Sequence, residues 1–144
     1  MALPIPRPGL VIRYGFLWCD DAARGREEGD KDRPCAVVLT TKTRYGETVV
    51  TVLPITHTPP RNLDFAVEIP AATKRRLGLD DDRSWIVVTD ANRFIWPGPD
   101  LRPQRPGDAS SVAYGMLPSA LFEALRDRLI KAIEARRATI APRS

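Results

Sequence analysis

A chain of 144 residues has the usual size of one domain and leaves little room for a second independent core. Its 43% apolar and 28% charged residues disfavour disorder over the whole length and allow an ordinary packed interior. The 14 prolines, φ-locked and lacking an N–H, cannot fill helix interiors or central strands, which argues against an all-helical bundle and for short elements joined by defined turns.

Basic residues exceed acidic ones by 22 to 18 and the pI is near 9.4, so the surface suits polyanions without histone-like charge density. One histidine, His57, and two cysteines, Cys19 and Cys35, are too few for a zinc site of Cys and His ligands. Reduced, largely buried thiols are expected over a Cys19–Cys35 disulfide, because no secretory signal is visible. No apolar run approaches membrane-spanning length, so the expected compartment is the cytoplasm and no membrane partner is expected.

In chain order, Pro4, Pro6 and Pro8 make residues 1–8 an extended proline-rich arm. The β-branched and aromatic run from Leu10 to Trp18 predicts a first strand. Asp20 to Asp32 is charged or small and predicts a solvated loop of a length that often carries function. Cys35–Leu39 and Thr48–Ile55, separated by Tyr45-Gly46, predict an antiparallel hairpin. Asp64–Ile69 predicts a strand closed by Pro70, and Ala71–Leu77 a short helix ended by Gly78. Ser84–Thr89 and Asn92–Trp96 predict two more strands, and Asp100–Ser111 a proline-bearing loop.

The only long helix follows Pro118, with Leu121, Phe122, Leu125, Leu129, Ala132 and Ile133 on one face and Arg136 and Arg137 near its carboxyl end. Five to seven short strands and one terminal helix give a mainly β fold with some α, a small bent sheet or half-open barrel in a single domain spanning 1–144.

Standard catalytic sets are absent: no Walker glycine loop, no dinucleotide fingerprint, and a nucleophile–histidine triad only if His57 serves it. What remains is arginine, hydroxyl and carboxylate at strand edges. Arg33 stands where the charged loop enters the second strand, Thr56 ends the third, and Asp90 and Arg93 follow the fifth. Each also has a plain structural use. Arg33 pairs with Asp30 or Asp32, Thr56 caps a turn, Asp90 pairs with Arg93, and His57 is a loop residue beside Pro59-Pro60. If the chain stays extended, His57 points away from the face that Thr56 and Thr58 share.

Several segments in order resemble the MazF/PemK (Kid) toxins of bacterial toxin–antitoxin systems. They are Gly9–Ile12, the run Gly25-Arg26-Glu27-Glu28-Gly29-Asp30-Lys31-Asp32-Arg33-Pro34 into Cys35–Leu39, Val52-Leu53-Pro54-Ile55-Thr56, Phe65–Pro70, Ser84–Arg93 and Gly115-Met116-Leu117. Arg26-Glu27-Glu28 replaces the family's frequent Ser-Glu-Gln, Phe94 replaces a common threonine, and the stretch Pro99–Pro106 is unusual. The resemblance implies an SH3-like β-barrel, a homodimer, and cleavage of single-stranded RNA to 2′,3′-cyclic phosphate and 5′-hydroxyl ends with no metal or cofactor. It implies catalytic roles for Arg33, Thr56 and Asp90, and a cognate antitoxin with an acidic disordered segment as partner. Lys31 and Arg93 are the expected RNA-binding cations, and Trp18, Phe94 and Trp96 the expected stacking rings. A noncatalytic module of the same shape, holding RNA or a protein, is the alternative.

Overall fold

The computed structural model describes residues 2–26 and 31–143. Glu27, Glu28, Gly29 and Asp30, which carry part of the charged loop and the Arg33–Asp30 alternative, lie outside the described residues. In chain order the elements are β1 (Leu10–Tyr14), α1 (Cys19–Ala23), β2 (Arg33–Lys42), β3 (Thr48–Thr56), β4 (Ala66–Glu68), α2 (Ala71–Leu77), β5 (Trp85–Val87), β6 (Asp90–Ile95), β7 (Ala113–Met116), α3 (Ser119–Glu134) and β8 (Thr139–Pro142). Turns of 3-10 helix precede β4 and β7, at Leu63–Phe65 and Ala109–Val112.

The β2–β3 hairpin is the backbone of the fold. Gly46 supplies the positive φ of 83° that its turn requires, and the Thr43 hydroxyl accepts hydrogen bonds from the Tyr45 and Glu47 amides at 3.2 and 3.1 Å. The ladder then runs from Lys42 opposite Thr48 to Cys35 opposite Pro54. A proline inside a central strand would normally cost a ladder bond. Here β3 changes partner around it: Val49–Val52 pair with β6, whereas Ile55 and Thr56 pair with β5. Among the described residues no registered neighbour meets Leu53 or Pro54 on that side, so the missing N–H is tolerated where the strand crosses from one sheet segment to the other.

Adjacent residues of each strand go to opposite faces, as a period of two demands, and both faces are buried. Val11, Ala36 and Leu53 enter a cluster with Ile86, Leu117 and Leu125, while Ile12, Cys35, Val37 and Val52 enter another with Tyr14 and Phe94. The first cluster is covered by α3 through Leu121, Phe122, Leu125, Leu129 and Ala132. Ile133, expected on that face, is instead 58% exposed. Pro118 is the residue before α3 rather than its first helical position.

The expected barrel is not closed. Among the described residues the sheet has eight strands in the order β4-β5-β3-β2-β1-β7, with β6 joined to β3 and β8 joined in parallel to β6. The end strands β4 and β7 do not pair with each other among the described residues. The first strand ends at Tyr14, four residues early, and Cys19–Ala23 forms a helical turn within the expected loop. Both β7 and β8 go beyond the predicted elements. No helix among the described residues is long and apolar enough to cross a membrane.

Candidate active site

Arg33 opens β2 and Thr56 closes β3. The β2–β3 ladder ends at the Cys35–Pro54 pair, and Arg33 and Thr56 each lie two residues beyond it on the neighbouring strands. The Arg33 guanidinium lies 5.1 Å over the Trp18 ring and donates through Nη1 to the Ile55 carbonyl at 3.4 Å. These contacts hold a planar fork of N–H groups beside a hydroxyl. The Thr56 hydroxyl oxygen accepts the Thr58 amide at 3.2 Å, the turn-capping use foreseen for it, and its own O–H stays available as a donor. Arg33, Thr56, Thr58, Lys31 and Trp18 line one cleft of about 480 Å³.

A second cleft of about 650 Å³ shares Trp18, Thr56 and Thr58 with the first, and the two adjoining clefts together are called the trough. Asp90 lies in this second part. Its Oδ1 accepts the Cys19 amide at 2.9 Å, which ties α1 to the start of β6 and fixes the carboxylate. Asp90 and Arg93 form no ion pair among the described residues. Asp32 pairs with Arg13 at 3.8 Å and Arg102 at 3.4 Å.

His57 corrects the expectation from strand alternation. The strand ends at Thr56, the chain turns, and His57 joins Arg33 and Thr56 in the first cleft. Its Nε2 is 2.8 Å from Asp80 Oδ2, and its Nδ1 is 3.0 Å from the Arg83 carbonyl and 3.2 Å from Ser84 Oγ. Both ring nitrogens are thus occupied, which leaves neither directed at a substrate. His57, Asp80 and Asp82 place ligand atoms within 4.8 Å of one another. The Lys74 ammonium already donates to Asp80 Oδ1 at 2.8 Å, to Ser84 Oγ at 2.7 Å and to the Asp82 carbonyl, so the chain supplies its own cation there.

The Lys74 side chain is only 5% exposed, and its hydrogen bond is the main reason that the Asp80 carboxyl titrates below the usual aspartate range. Asp80 therefore contributes stability that is full above the ordinary aspartate pKa and lost as pH falls through the lowered one. Lys74→Met is expected to remove about 2 kcal/mol, because three oriented acceptors lose their common donor. A fall in the urea midpoint with an unchanged slope would show it, and an unchanged midpoint would mean that the cluster is energetically idle.

The family model described as PemK-like, MazF-like toxin of type II toxin–antitoxin system matches residues 12–94, from within β1 to within β6. The chain belongs to this family. Its membership makes the chain a toxin of a toxin–antitoxin system, in a family whose toxins are generally endoribonucleases, and implies an antitoxin partner. No curated protein matches the chain.

Arg33, Thr56 and Asp90 all lie inside the span shared with PemK-like toxins. The trough brings together Trp18, Lys31, Arg33, Thr56 and Asp90, but three residues expected on it lie elsewhere. Phe94 is 2% exposed, stacked on Tyr14 at 4.7 Å and on Trp96 at 6.2 Å, and presents no face to a base. Trp96 follows β6 beside Thr48, at the far end of β3 from Thr56, roughly 26 Å along the strand. Arg93 is exposed on β6 opposite Thr51 and lines neither cleft.

Arg61 and Arg137 line the trough instead, and Arg137 lies beyond the shared PemK span. Both thiols are outside any disulfide, and Cys19 is half-buried while Cys35 is buried. Burial, followed by the Asp90 hydrogen bond, pushes Cys19 up to about 12, and burial raises Cys35 further.

Proposed function

We propose that this PemK-like toxin is a metal-independent endoribonuclease that cleaves single-stranded RNA at preferred short sequences, leaving 2′,3′-cyclic phosphate and 5′-hydroxyl ends. The observation that carries the reading is that the Arg33 guanidinium and the Thr56 hydroxyl line one cleft, while Thr56 and the Asp90 carboxylate line the next. In this reaction the RNA brings its own nucleophile. Asp90 takes the proton of the 2′-hydroxyl as its oxygen attacks phosphorus. Negative charge then grows on the non-bridging oxygens, where Arg33 offers two N–H donors and Thr56 one O–H. The P–O5′ bond breaks and the departing oxygen takes a proton from water.

The physiological unit we propose is a cytoplasmic homodimer of single-domain chains. An acidic, disordered segment of the antitoxin orders across the cleft that holds Lys31 and Arg33 and so competes with RNA there.

The direct test is cleavage of a fluorogenic single-stranded RNA by the purified protein in excess chelator. Full activity with cyclic phosphate ends is expected. Activity lost in chelator and restored by magnesium would overturn the metal-independent mechanism. Salt-sensitive RNA binding without any cleavage would favour a noncatalytic RNA-binding module.

A further inference from the structure

We infer that the wider part of the trough is a second nucleotide site, in which Arg137, stacked on Phe65, takes a phosphate flanking the scissile one. The inference rests on the RNA-cleaving reading above, and it adds a stretch of chain that the family match does not cover.

The trough holds two guanidinium-on-ring pairs. Arg33 lies 5.1 Å over Trp18 at one end, and Arg137 lies 5.2 Å over Phe65 in the wider part. A guanidinium laid on a ring keeps its N–H edges for phosphate and its outer face for a base. The two pairs lie in adjoining clefts, because Trp18, Thr56 and Thr58 line both.

Arg137 is fixed from both sides. At the end of α3 the Arg137 amide donates to the Ala132 carbonyl at 2.8 Å and the Arg136 amide to the Ile133 carbonyl at 3.0 Å, the paired bonds of a Schellman turn. The turn puts Arg136 at a φ of 58°, a left-handed conformation that favours glycine. Beyond Arg137, β8 pairs with β6, and the Thr139 amide donates to the Thr89 carbonyl at 2.9 Å. The far end is pinned by the Arg143 side chain, 3% exposed, 3.1 Å from Asp100 and donating to Asn92 Oδ1 at 2.9 Å.

The other groups on the walls favour a nucleotide over an acidic peptide. Asp20 and Asp90 share this space with Arg61 and Arg137. Carboxylates repel a polyacidic chain, yet they accept the amino and imino hydrogens of a base. Asn62 spends its side-chain oxygen on the Asp64 amide at 2.9 Å, so its amide nitrogen remains a donor toward base oxygens.

The test measures anisotropy of fluorescein-labelled 2′-fluoro RNA, which lacks the nucleophile, as a random-sequence octamer and a random-sequence trinucleotide. Arg137→Gln is expected to weaken the octamer about tenfold and to lower the salt slope by about 0.7, the share of one single-strand phosphate. Trinucleotide binding should not change, and Arg137→Lys should restore the slope but not the full affinity. Equal loss on both oligonucleotides, an unaltered salt slope, or loss confined to an acidic antitoxin peptide would each overturn the second site. A wild-type protein that cleaves RNA while Arg137→Gln binds the octamer normally removes this site and leaves the activity standing. A wild-type protein that binds no octamer removes both.

Discussion

Replacing Arg33 by alanine is expected to lower kcat for RNA cleavage by about 10²–10³-fold, the usual cost of deleting one preorganised donor to a developing oxyanion. KM should change far less, because the fork gains most of its strength only as charge accumulates on the phosphorane. The fold should survive the change. Arg33 stands at the first position of β2, outside the registered hairpin ladder that ends at Cys35, and its backbone pairing with Tyr14 does not need the side chain. An unchanged circular-dichroism spectrum with unchanged oligomeric state would confirm that chemistry and not structure was removed. Arg33→Lys should recover little, since a point charge cannot offer two parallel N–H groups while lying flat on Trp18. Turnover within a few-fold of wild type in Arg33→Ala would end the assignment.

The two strands that carry Arg33 and Thr56 were legible because their signals are local. An apolar run, a Tyr45-Gly46 turn and a second apolar run leave little choice of pairing, and the hairpin then brings the Arg33 and Thr56 ends to the same edge of the sheet. Gly78 also ends α2 as foreseen, with a φ of 73°. The failures are of another kind. Alternation turns His57 away from Thr56 only where the strand continues, and β3 stops one residue earlier. Phe94, expected as a stacking ring, is packed inside, because a sheet buried on both faces leaves few rings free. Arg137 could not be found from sequence. Nothing in an Ala-Arg-Arg run announces a left-handed turn, and Phe65, the ring it covers, is more than seventy residues away along the chain. The open sheet follows similarly from long-range pairings, above all the four-residue β8, too short and too close to a proline to read as a strand.

Asp90→Asn should lower kcat by about 10²–10⁴-fold, the range for loss of a positioned general base. The substitution is close to isosteric, and the amide oxygen can still accept the Cys19 amide that Asp90 Oδ1 now holds at 2.9 Å, so α1 stays docked on β6. Affinity for an uncleavable RNA should be unchanged or slightly tighter, because a negative charge leaves a trough that binds phosphates. That split between binding and turnover distinguishes a lost proton acceptor from a disturbed fold. The competing base is His57, and His57→Ala decides between them. Its ring is held between Asp80 and Arg83, and to accept a proton from RNA it would first have to give up one of those contacts. His57→Ala is therefore expected to retain far more activity than either Asp90→Asn or Thr56→Ala. If the order is reversed, with Asp90→Asn near wild type and His57→Ala inactive but folded, the proton passes to the imidazole and the Asp80 contact must open during each turnover.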